Sequence, residues 1–160
     1  MNRIFAPWRM KFIVESKVKK DSVCILCALL EQKDSEENLI LSRSSDSYIV
    51  VNKYPYNTAH LMVVPNVHEH DFVKLSSQVM TSIHQQLQQV VRVLSKVYQP
   101  SGFNIGINLG EVAGAGIPKH VHYHIVPRWV GDNNFMPIVG DTKVLPETPE
   151  QTYQRLKDHF

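Results

Sequence analysis

The chain has 160 residues, of which 43% are hydrophobic and 20% are charged, and its formal net charge is +2. This composition predicts a single domain over 1–160, with a core at about 20–145, an N-terminal arm and a C-terminal tail. The charge is too small to indicate a nucleic-acid partner. Without a long apolar run or a secretory leader, we expect a cytoplasmic protein that does not span a membrane.

The first half of the chain contains the signals of short strands joined by turns. Residues 24–31 predict a short helix. Residues 39–43 and 47–52 are interrupted by Ser44, Ser45 and Asp46, a pattern that predicts a hairpin. Residues 59–64 then form an apolar run that predicts a strand ending at Pro65.

The second half begins with the clearest helix. Apolar residues recur every three or four positions over 77–98, and Ser76 or Ser77 is a suitable N-cap. Further along, the patterns predict a half-buried strand over 103–109, a glycine-rich loop over 110–116, a strand over 120–126 and a short helix over 147–158. Paired strands around one long helix favour an α+β domain with an antiparallel sheet.

Three histidines alternate within the last predicted strand. His120, His122 and His124 are two residues apart, so a strand would project all three from one face. Two chemistries suit such a face, namely a metal centre of three histidines and nucleophilic catalysis by imidazole. The preceding glycine-rich loop begins beside Asn108 and can bind an anion through backbone N–H groups, which favours phosphoryl chemistry.

Cys24 and Cys27 form a Cys-x-x-Cys pair. A structural disulfide is unfavourable in a reducing compartment. Metal ligation, a redox pair and two buried thiols remain as alternatives. No organic cofactor is expected.

The segment from His120 to Val126 matches the signature His-φ-His-φ-His-φ-φ, where φ is a hydrophobic residue. Through this segment the chain resembles the histidine-triad (HIT) superfamily. Residues 51–68 resemble the central hairpin of that family, and 108–114 resemble its phosphate loop. Residues 127–137 and 142–146 are similar to the bacterial branch that contains diadenosine tetraphosphate phosphorylases, and in part to fragile-histidine-triad hydrolases. The resemblance implies a HIT-like fold, in which a twisted antiparallel sheet carries one long helix, and a homodimer whose sheets join.

The resemblance also implies a mechanism. His122 would attack the α-phosphorus of a dinucleoside polyphosphate, with diadenosine tetraphosphate as the expected substrate, while a backbone carbonyl holds its other ring nitrogen. Phosphate or water would then release the nucleotidyl-histidine. His124 would stabilise the phosphate oxygens, and His60 would be a fourth histidine near His120, His122 and His124, so these four residues form the catalytic set.

Substrate contacts follow from the same resemblance. Asn52 would bind the ribose, Asn108 with the backbone at Gly114 and Gly116 would bind phosphate, and Val51 and Met62 would flank the nucleobase. No hydroxyl side chain occurs over 115–119, where many family members carry one. Contacts to the leaving group are therefore expected from the backbone or from Lys119, Arg128 or Lys143. Trp129 is a candidate for base stacking, for the dimer interface or for core packing.

Some members of this superfamily, and the related hexose-1-phosphate uridylyltransferases, bind a structural zinc through a Cys-x-x-Cys pair, a later histidine and the first triad histidine. That resemblance implies a structural zinc held by Cys24, Cys27, His68 and His120, with His70 as the rival of His68. Two other functions remain open, namely a general nucleoside phosphoramidate or nucleotide hydrolase and a nucleotide-binding regulatory module with slow turnover.

Overall fold

The computed structural model describes residues 24–132, 136–140 and 143–160, and the predicted N-terminal arm lies outside these ranges. Its centre is a five-stranded antiparallel sheet in the order β1-β2-β3-β5-β4. The strands are β1 (Ile40–Arg43), β2 (Ser47–Val51), β3 (Leu61–Pro65), β4 (Gly102–Ile107) and β5 (Tyr123–Arg128). The helices are α1 (Ile25–Leu30), α2 (Ser77–Tyr98), α3 (Met136–Val139) and α4 (Pro149–Leu156). The predicted α+β class and antiparallel sheet are confirmed.

The long helix α2 has the bounds that its apolar spacing predicted. The Ser76 side chain accepts a hydrogen bond from Val79 N at 3.3 Å, which caps the first turn. The helix ends where Gln99 adopts a left-handed conformation, one residue before Pro100. Its buried apolar stripe packs on β2 and β3. Within the described ranges, no helix is both long and apolar enough to cross a bilayer.

The strand register assigns side chains to the two faces of the sheet. Partners across an antiparallel pair share a face, so the pairing of Met62 with His124 places both on one side. The next pair, Val63 and Tyr123, lies on the opposite side, where the Tyr123 hydroxyl is 3.9 Å from Met80 Sδ of α2. The sheet therefore separates His124 from the core that α2 covers.

The histidine strand starts later than predicted. β5 begins at Tyr123, so His120 and His122 precede it, and the predicted start at residue 120 was wrong. The reason is a set of backbone bonds outside the sheet. Val121 N donates to Glu69 O at 2.7 Å, and His120 N donates to Ile117 O at 3.4 Å. These bonds hold the backbone at 120–121 against the loop after β3 instead of along the sheet.

The half-buried pattern predicted over 103–109 holds at Phe103 and Ile107, which pack against the core, but not at Ile105 and Leu109. β4 is an edge strand and ends at Ile107, and Ile105 and Leu109 are 48% and 46% exposed. Helix α2 packs on β2, β3 and β5, so it leaves this side of β4 largely uncovered. The alternation of apolar and polar residues identified the strand, but the burial of its side chains depends on which elements pack over that face of the sheet.

Candidate functional site

His122 is a buried histidine whose ring orientation is set by the backbone. Its Nδ1–H donates to the carbonyl oxygen of His120 at 2.8 Å. Burial lowers the pKa of His122, although this hydrogen bond acts in the opposite direction. The ring is therefore neutral near pH 7, with its proton on Nδ1 and a lone pair on Nε2. Such an imidazole can act as a nucleophile.

His60 and His124 form a hydrogen-bonded pair next to His122. Tyr56 N donates to His60 Nδ1 at 3.0 Å, so the proton of a neutral His60 is on Nε2. That Nε2–H donates to His124 Nδ1 at 3.0 Å, which places the proton of a neutral His124 on Nε2. Burial, together with the charges of His124 and His122, holds the pKa of His60 well below its usual value. The rings of His122 and His124 are 4.9 Å apart.

The ring of His120 lies next to the sulfur atoms of Cys24 and Cys27. Its Nδ1 is 3.4 Å from Cys24 Sγ and 3.5 Å from Cys27 Sγ, and Cys27 Sγ is 3.2 Å from His68 Nδ1. His120 Nε2–H donates to Pro65 O at 2.9 Å, so the lone pair on Nδ1 faces the sulfurs. The rival His70 lies beside Glu69, with 3.3 Å between Nδ1 and Oε1.

These four side chains fit a tetrahedral zinc ion. Their ligand atoms lie within 4.8 Å of one another, and a Zn²⁺ ion with two sulfur and two nitrogen ligands separates its donors by roughly 3.3–3.8 Å. Burial and the neighbouring Cys24 raise the pKa of Cys27 to about 11, so this thiol needs a neighbouring cation to become a thiolate near neutral pH. Four protein ligands leave no open position, and a bound zinc would be structural.

The alternative of a catalytic metal on three histidines does not fit this geometry. Within the described part of the chain, no cluster of three or more metal-ligating side chains includes His122 or His124. His120 faces the cysteines, and Nδ1 of His122 is bonded to a carbonyl. The arrangement thus favours imidazole chemistry over metal chemistry at the triad.

The glycine-rich loop connects β4 to the histidine segment. Gly110 and Gly114 have φ angles of +83° and +89°, a conformation that favours glycine, and they flank a short 3-10 turn. Gly116 is half-buried in the same loop. Asn108 is also half-buried, and its side chain makes no hydrogen bond to a described residue. Its amide is therefore available to a ligand.

Asn52 and the two predicted nucleobase residues have different surroundings. Asn52 Oδ1 accepts from Tyr54 N at 2.9 Å, and its Nδ2 is 3.2 Å from His60 Nδ1, so this buried residue supports the turn and His60. Met62 shares the face of His124.

Val51, in contrast, pairs with Leu61 on the α2 side of the sheet, so the geometry does not bring it to the histidines. Val50 pairs with Met62 and therefore lies on the histidine face, a placement that only the hairpin register reveals.

A buried carboxylate beside the site was not predicted either. Asp132 Oδ2 accepts from Arg128 Nε at 2.6 Å and from Asn57 Nδ2 at 2.9 Å, and Arg128 Nη2 donates to Oδ1 at 3.0 Å. Its hydrogen bond to Arg128 lowers the pKa of Asp132 to about 2. Arg128 also donates to Asn104 Oδ1 of β4 at 2.8 Å. The geometry thus commits Arg128 to internal partners.

The remaining residues that the sequence suggested for substrate or interface contacts, Trp129, Lys119 and Lys143, have three different environments. Trp129 is half-buried, its Nε1–H donates to Tyr98 O at 3.3 Å, and the two rings are 6.4 Å apart, which places this indole at the end of α2. Lys119 is exposed, and Lys143 is half-buried.

Comparison with known proteins agrees with this geometry. The model of the HIT domain family matches residues 32–130. The AP-4-A phosphorylase of Mycobacterium tuberculosis is 37% identical over 161 residues, covering 98% of this chain and 83% of that protein. The asymmetrical bis(5'-nucleosyl)-tetraphosphatase of Schizosaccharomyces pombe is 33% identical over 93 residues, covering 58% of this chain and 50% of that one.

A solved structure has the same fold. It is that of a zinc-bound histidine triad family protein from Mycobacterium smegmatis, with a TM-score of 0.68 and 20% identity, covering 85% of this chain and 91% of that one. The family match spans more than half of the chain and includes all three histidines of the triad. The protein therefore belongs to the HIT domain family.

Proposed function

We propose that this protein cleaves diadenosine tetraphosphate by nucleotidyl transfer through His122, with inorganic phosphate as the acceptor. The observation that carries the proposal is the 2.8 Å hydrogen bond from His122 Nδ1 to the carbonyl oxygen of His120. It leaves Nε2 as the only nucleophilic atom of the ring. The AP-4-A phosphorylase relative, which covers nearly the whole chain, supports both the substrate and phosphorolysis.

The reaction has two displacements at one phosphorus. In the first, His122 Nε2 forms a bond to the α-phosphorus, and the bond to the bridging oxygen breaks, so ATP leaves and adenylyl-histidine remains. In the second, an oxygen of inorganic phosphate attacks the same phosphorus and the P–N bond breaks. The electron pair returns to Nε2, and the product is ADP. His122 ends the cycle neutral, with its proton still on Nδ1.

His124 stabilises the charge that develops on the phosphoryl oxygens. Because His60 donates to its Nδ1, His124 has its proton on Nε2 and offers it as a hydrogen-bond donor. His60 in turn keeps its proton on Nε2, because its Nδ1 accepts a hydrogen bond from the backbone N–H of Tyr56. His60 is accordingly a positioning residue in the proposal, since it acts through His124.

The glycine-rich loop and the hairpin bind the rest of the substrate in this proposal. Asn108 and the backbone N–H of Gly116 donate to phosphate oxygens, which the uncommitted Asn108 amide supports, whereas the Gly114 N–H already donates to Glu111 O at 2.9 Å. Met62 contributes the apolar wall of the nucleobase site from the His124 face. Asn52, which holds the turn beside His60, approaches the ribose.

A structural zinc on Cys24, Cys27, His68 and His120 belongs to the same proposal. When bound, the ion supplies no reaction chemistry and acts only as a cross-link between α1, the loop after β3 and the histidine segment. His120 links this cross-link to the nucleophile, because its ring faces the cysteines and its carbonyl oxygen accepts from His122.

The proposal also includes a homodimer in which β4 of each copy lies at the interface. Among the described strands, β4 is an edge strand that pairs with β5 alone, so its other side presents backbone groups that no described strand pairs with. Ile105 and Leu109 add exposed apolar surface at the same edge. Strand addition by a second copy would cover both features.

Replacing His122 with alanine tests the nucleophile. The wild type should convert diadenosine tetraphosphate to ADP and ATP only when phosphate is present. Loss of Nε2 should lower this turnover by at least about a thousandfold and leave nucleotide affinity within about threefold. Chromatography of products and calorimetric titration measure the two quantities. His84→Ala, at an exposed histidine of α2, should keep full turnover. Formation of AMP and ATP without phosphate would refute phosphorolysis, and an active His122→Ala would refute the nucleophile.

Replacing His60 with alanine tests the tautomer of His124. Without the donor at Nδ1, His124 populates the tautomer that cannot donate from Nε2. We expect kcat to fall about ten- to hundredfold with little change in KM. His60→Gln, whose side-chain amide can donate to His124, should recover part of the loss. An unchanged kcat in His60→Ala would rule this role out.

Removing the metal tests the zinc cluster. Elemental analysis should find about one zinc ion per chain. A strong chelator should lower the melting temperature by about 5 °C or more and abolish activity in parallel, and added zinc should restore both. Cys27→Ser should reproduce the metal loss, whereas His70→Ala should not. A melting temperature that does not respond to the chelator would contradict the site.

Replacing Ile105 with lysine tests the dimer. A charge on the exposed side of β4 should convert the dimer to a monomer at micromolar concentration, because it opposes burial of the strand edge. Light scattering coupled to size exclusion measures the mass. Val73→Lys, at a valine that is 86% exposed in a 3-10 turn, is the matched control and should remain dimeric. A monomeric wild type would reject the interface.

A further inference from the structure

The hydrogen bond between His60 and His124 depends on the loop over residues 52–60, which joins β2 to β3. Within this loop, the backbone N–H of Tyr56 donates to His60 Nδ1 at 3.0 Å. The centre of the Tyr56 ring is 4.7 Å from that of His60 and 5.5 Å from that of His124. The position of Tyr56 therefore determines which nitrogen of His60 has the proton that is donated to His124.

The loop has a backbone conformation that its own sequence does not favour. Ala59, directly before His60, is buried and has a φ of +55°, in the left-handed region that favours glycine. A residue other than glycine stays in that region only where the surrounding contacts hold it there. The loop over residues 52–60 therefore requires contacts with other parts of the chain.

Asn57 makes such contacts. Its side chain is buried, and the two hydrogens on Nδ2 donate to Pro127 O at 3.0 Å and to Asp132 Oδ2 at 2.9 Å. Pro127 lies in β5, and Asp132 follows that strand. Asn57 thereby ties the loop that carries Tyr56 to the end of the strand that carries His124.

The carboxylate of Asp132 is itself fixed. It accepts two hydrogen bonds from Arg128, at 2.6 and 3.0 Å, and one from Trp129 N at 3.3 Å, and the side chain is 9% exposed. Arg128 in turn donates to Asn104 Oδ1 of β4 at 2.8 Å. Asn57 is therefore bound to a rigid cluster and not to a mobile surface group.

We propose that Asn57 is a positioning residue for the reaction, because its anchored amide holds Tyr56 against His60. His60 then keeps the proton of His124 on Nε2. This inference rests on the proposed function, in which that Nε2–H stabilises the phosphoryl oxygens, and extends it to a side chain that does not touch the histidines.

Loss of the anchor acts through the ring nitrogens. A loop that moves away leaves His60 Nδ1 without the Tyr56 donor, and the proton of His60 can then transfer to Nδ1. A second donor near that nitrogen, Asn52 Nδ2 at 3.2 Å, belongs to the same loop. His124 then loses the donor at its own Nδ1, and nothing fixes its proton on Nε2.

Two asparagines bound to the same ion pair allow a matched comparison. Asn57→Ala removes the bond between the loop and Asp132, whereas Asn104→Ala removes a bond to Arg128 and leaves the loop anchored. NMR of protein labelled with a nitrogen isotope in its histidines reports which ring nitrogens are protonated, without any substrate. Kinetics with diadenosine tetraphosphate give kcat and KM for the same proteins.

We expect Asn57→Ala to raise the fraction of His60 and His124 rings protonated on Nδ1, and to lower kcat about tenfold with KM changed by less than about twofold. Asn104→Ala should match the wild type in both respects. Asp132→Asn should lose less than Asp132→Ala, because its amide oxygen can still accept from Asn57.

Wild-type tautomers in a folded Asn57→Ala would overturn the assignment, whether or not kcat falls, because Asn57 would then only stabilise the fold. An equal tautomer change in Asn104→Ala would also overturn it. If Asn57→Ala does not fold, the Asp132 variants decide. A tautomer change in Asp132→Ala that is smaller in Asp132→Asn supports the assignment, and no change in either rejects it. A wild type without turnover would refute the proposed function, whereas the NMR comparison tests Asn57 independently of turnover.

Discussion

The hydrogen bond from His122 Nδ1 to the carbonyl oxygen of His120 is the contact on which the rest of the site depends. It fixes which ring nitrogen carries the proton, and it orients Nε2 relative to the backbone. The carbonyl is itself held in place, because His120 Nε2 donates to Pro65 O and Val121 N donates to Glu69 O. The proposed nucleophile is therefore positioned by the loop after β3 as much as by the strand that follows it.

The same residue connects two kinds of chemistry. The ring of His120 presents its lone pair to the cysteine sulfurs, while its backbone oxygen accepts from Nδ1 of His122. A metal on the ring would restrain the backbone to which His122 is hydrogen-bonded. In this way a metal centre without an open coordination position would affect the proposed reaction without touching the substrate. The ring of His120 thus has surroundings different from those of His122 and His124.

The sequence predicted the features that depend on local pattern. The bounds of α2, the hairpin of β1 and β2, and the choice of His68 over His70 agree with the structure, because spacing and turn residues determine the first two and the family resemblance supplied the third. The start of β5 and the face of Val51 could not be predicted. Both depend on pairings between segments far apart in the chain, such as Val121 with Glu69 and Val51 with Leu61, and period-two alternation cannot establish a register.

The ion pair of Asp132 and Arg128 shows how distant segments complete a local contact. The two residues are only four apart in the chain, but Asn57 and Asn104 reach them from 75 and 24 residues away, so no local pattern could reveal these two contacts. The sequence offers Lys119, Arg128 and Lys143 as equivalent cations for a phosphate. Folding makes them unequal, because Arg128 is neutralised, Lys119 is exposed and Lys143 is half-buried. The availability of a cation to a bound phosphate depends on its partners and on its burial, and the Asp132 carboxylate already occupies Arg128.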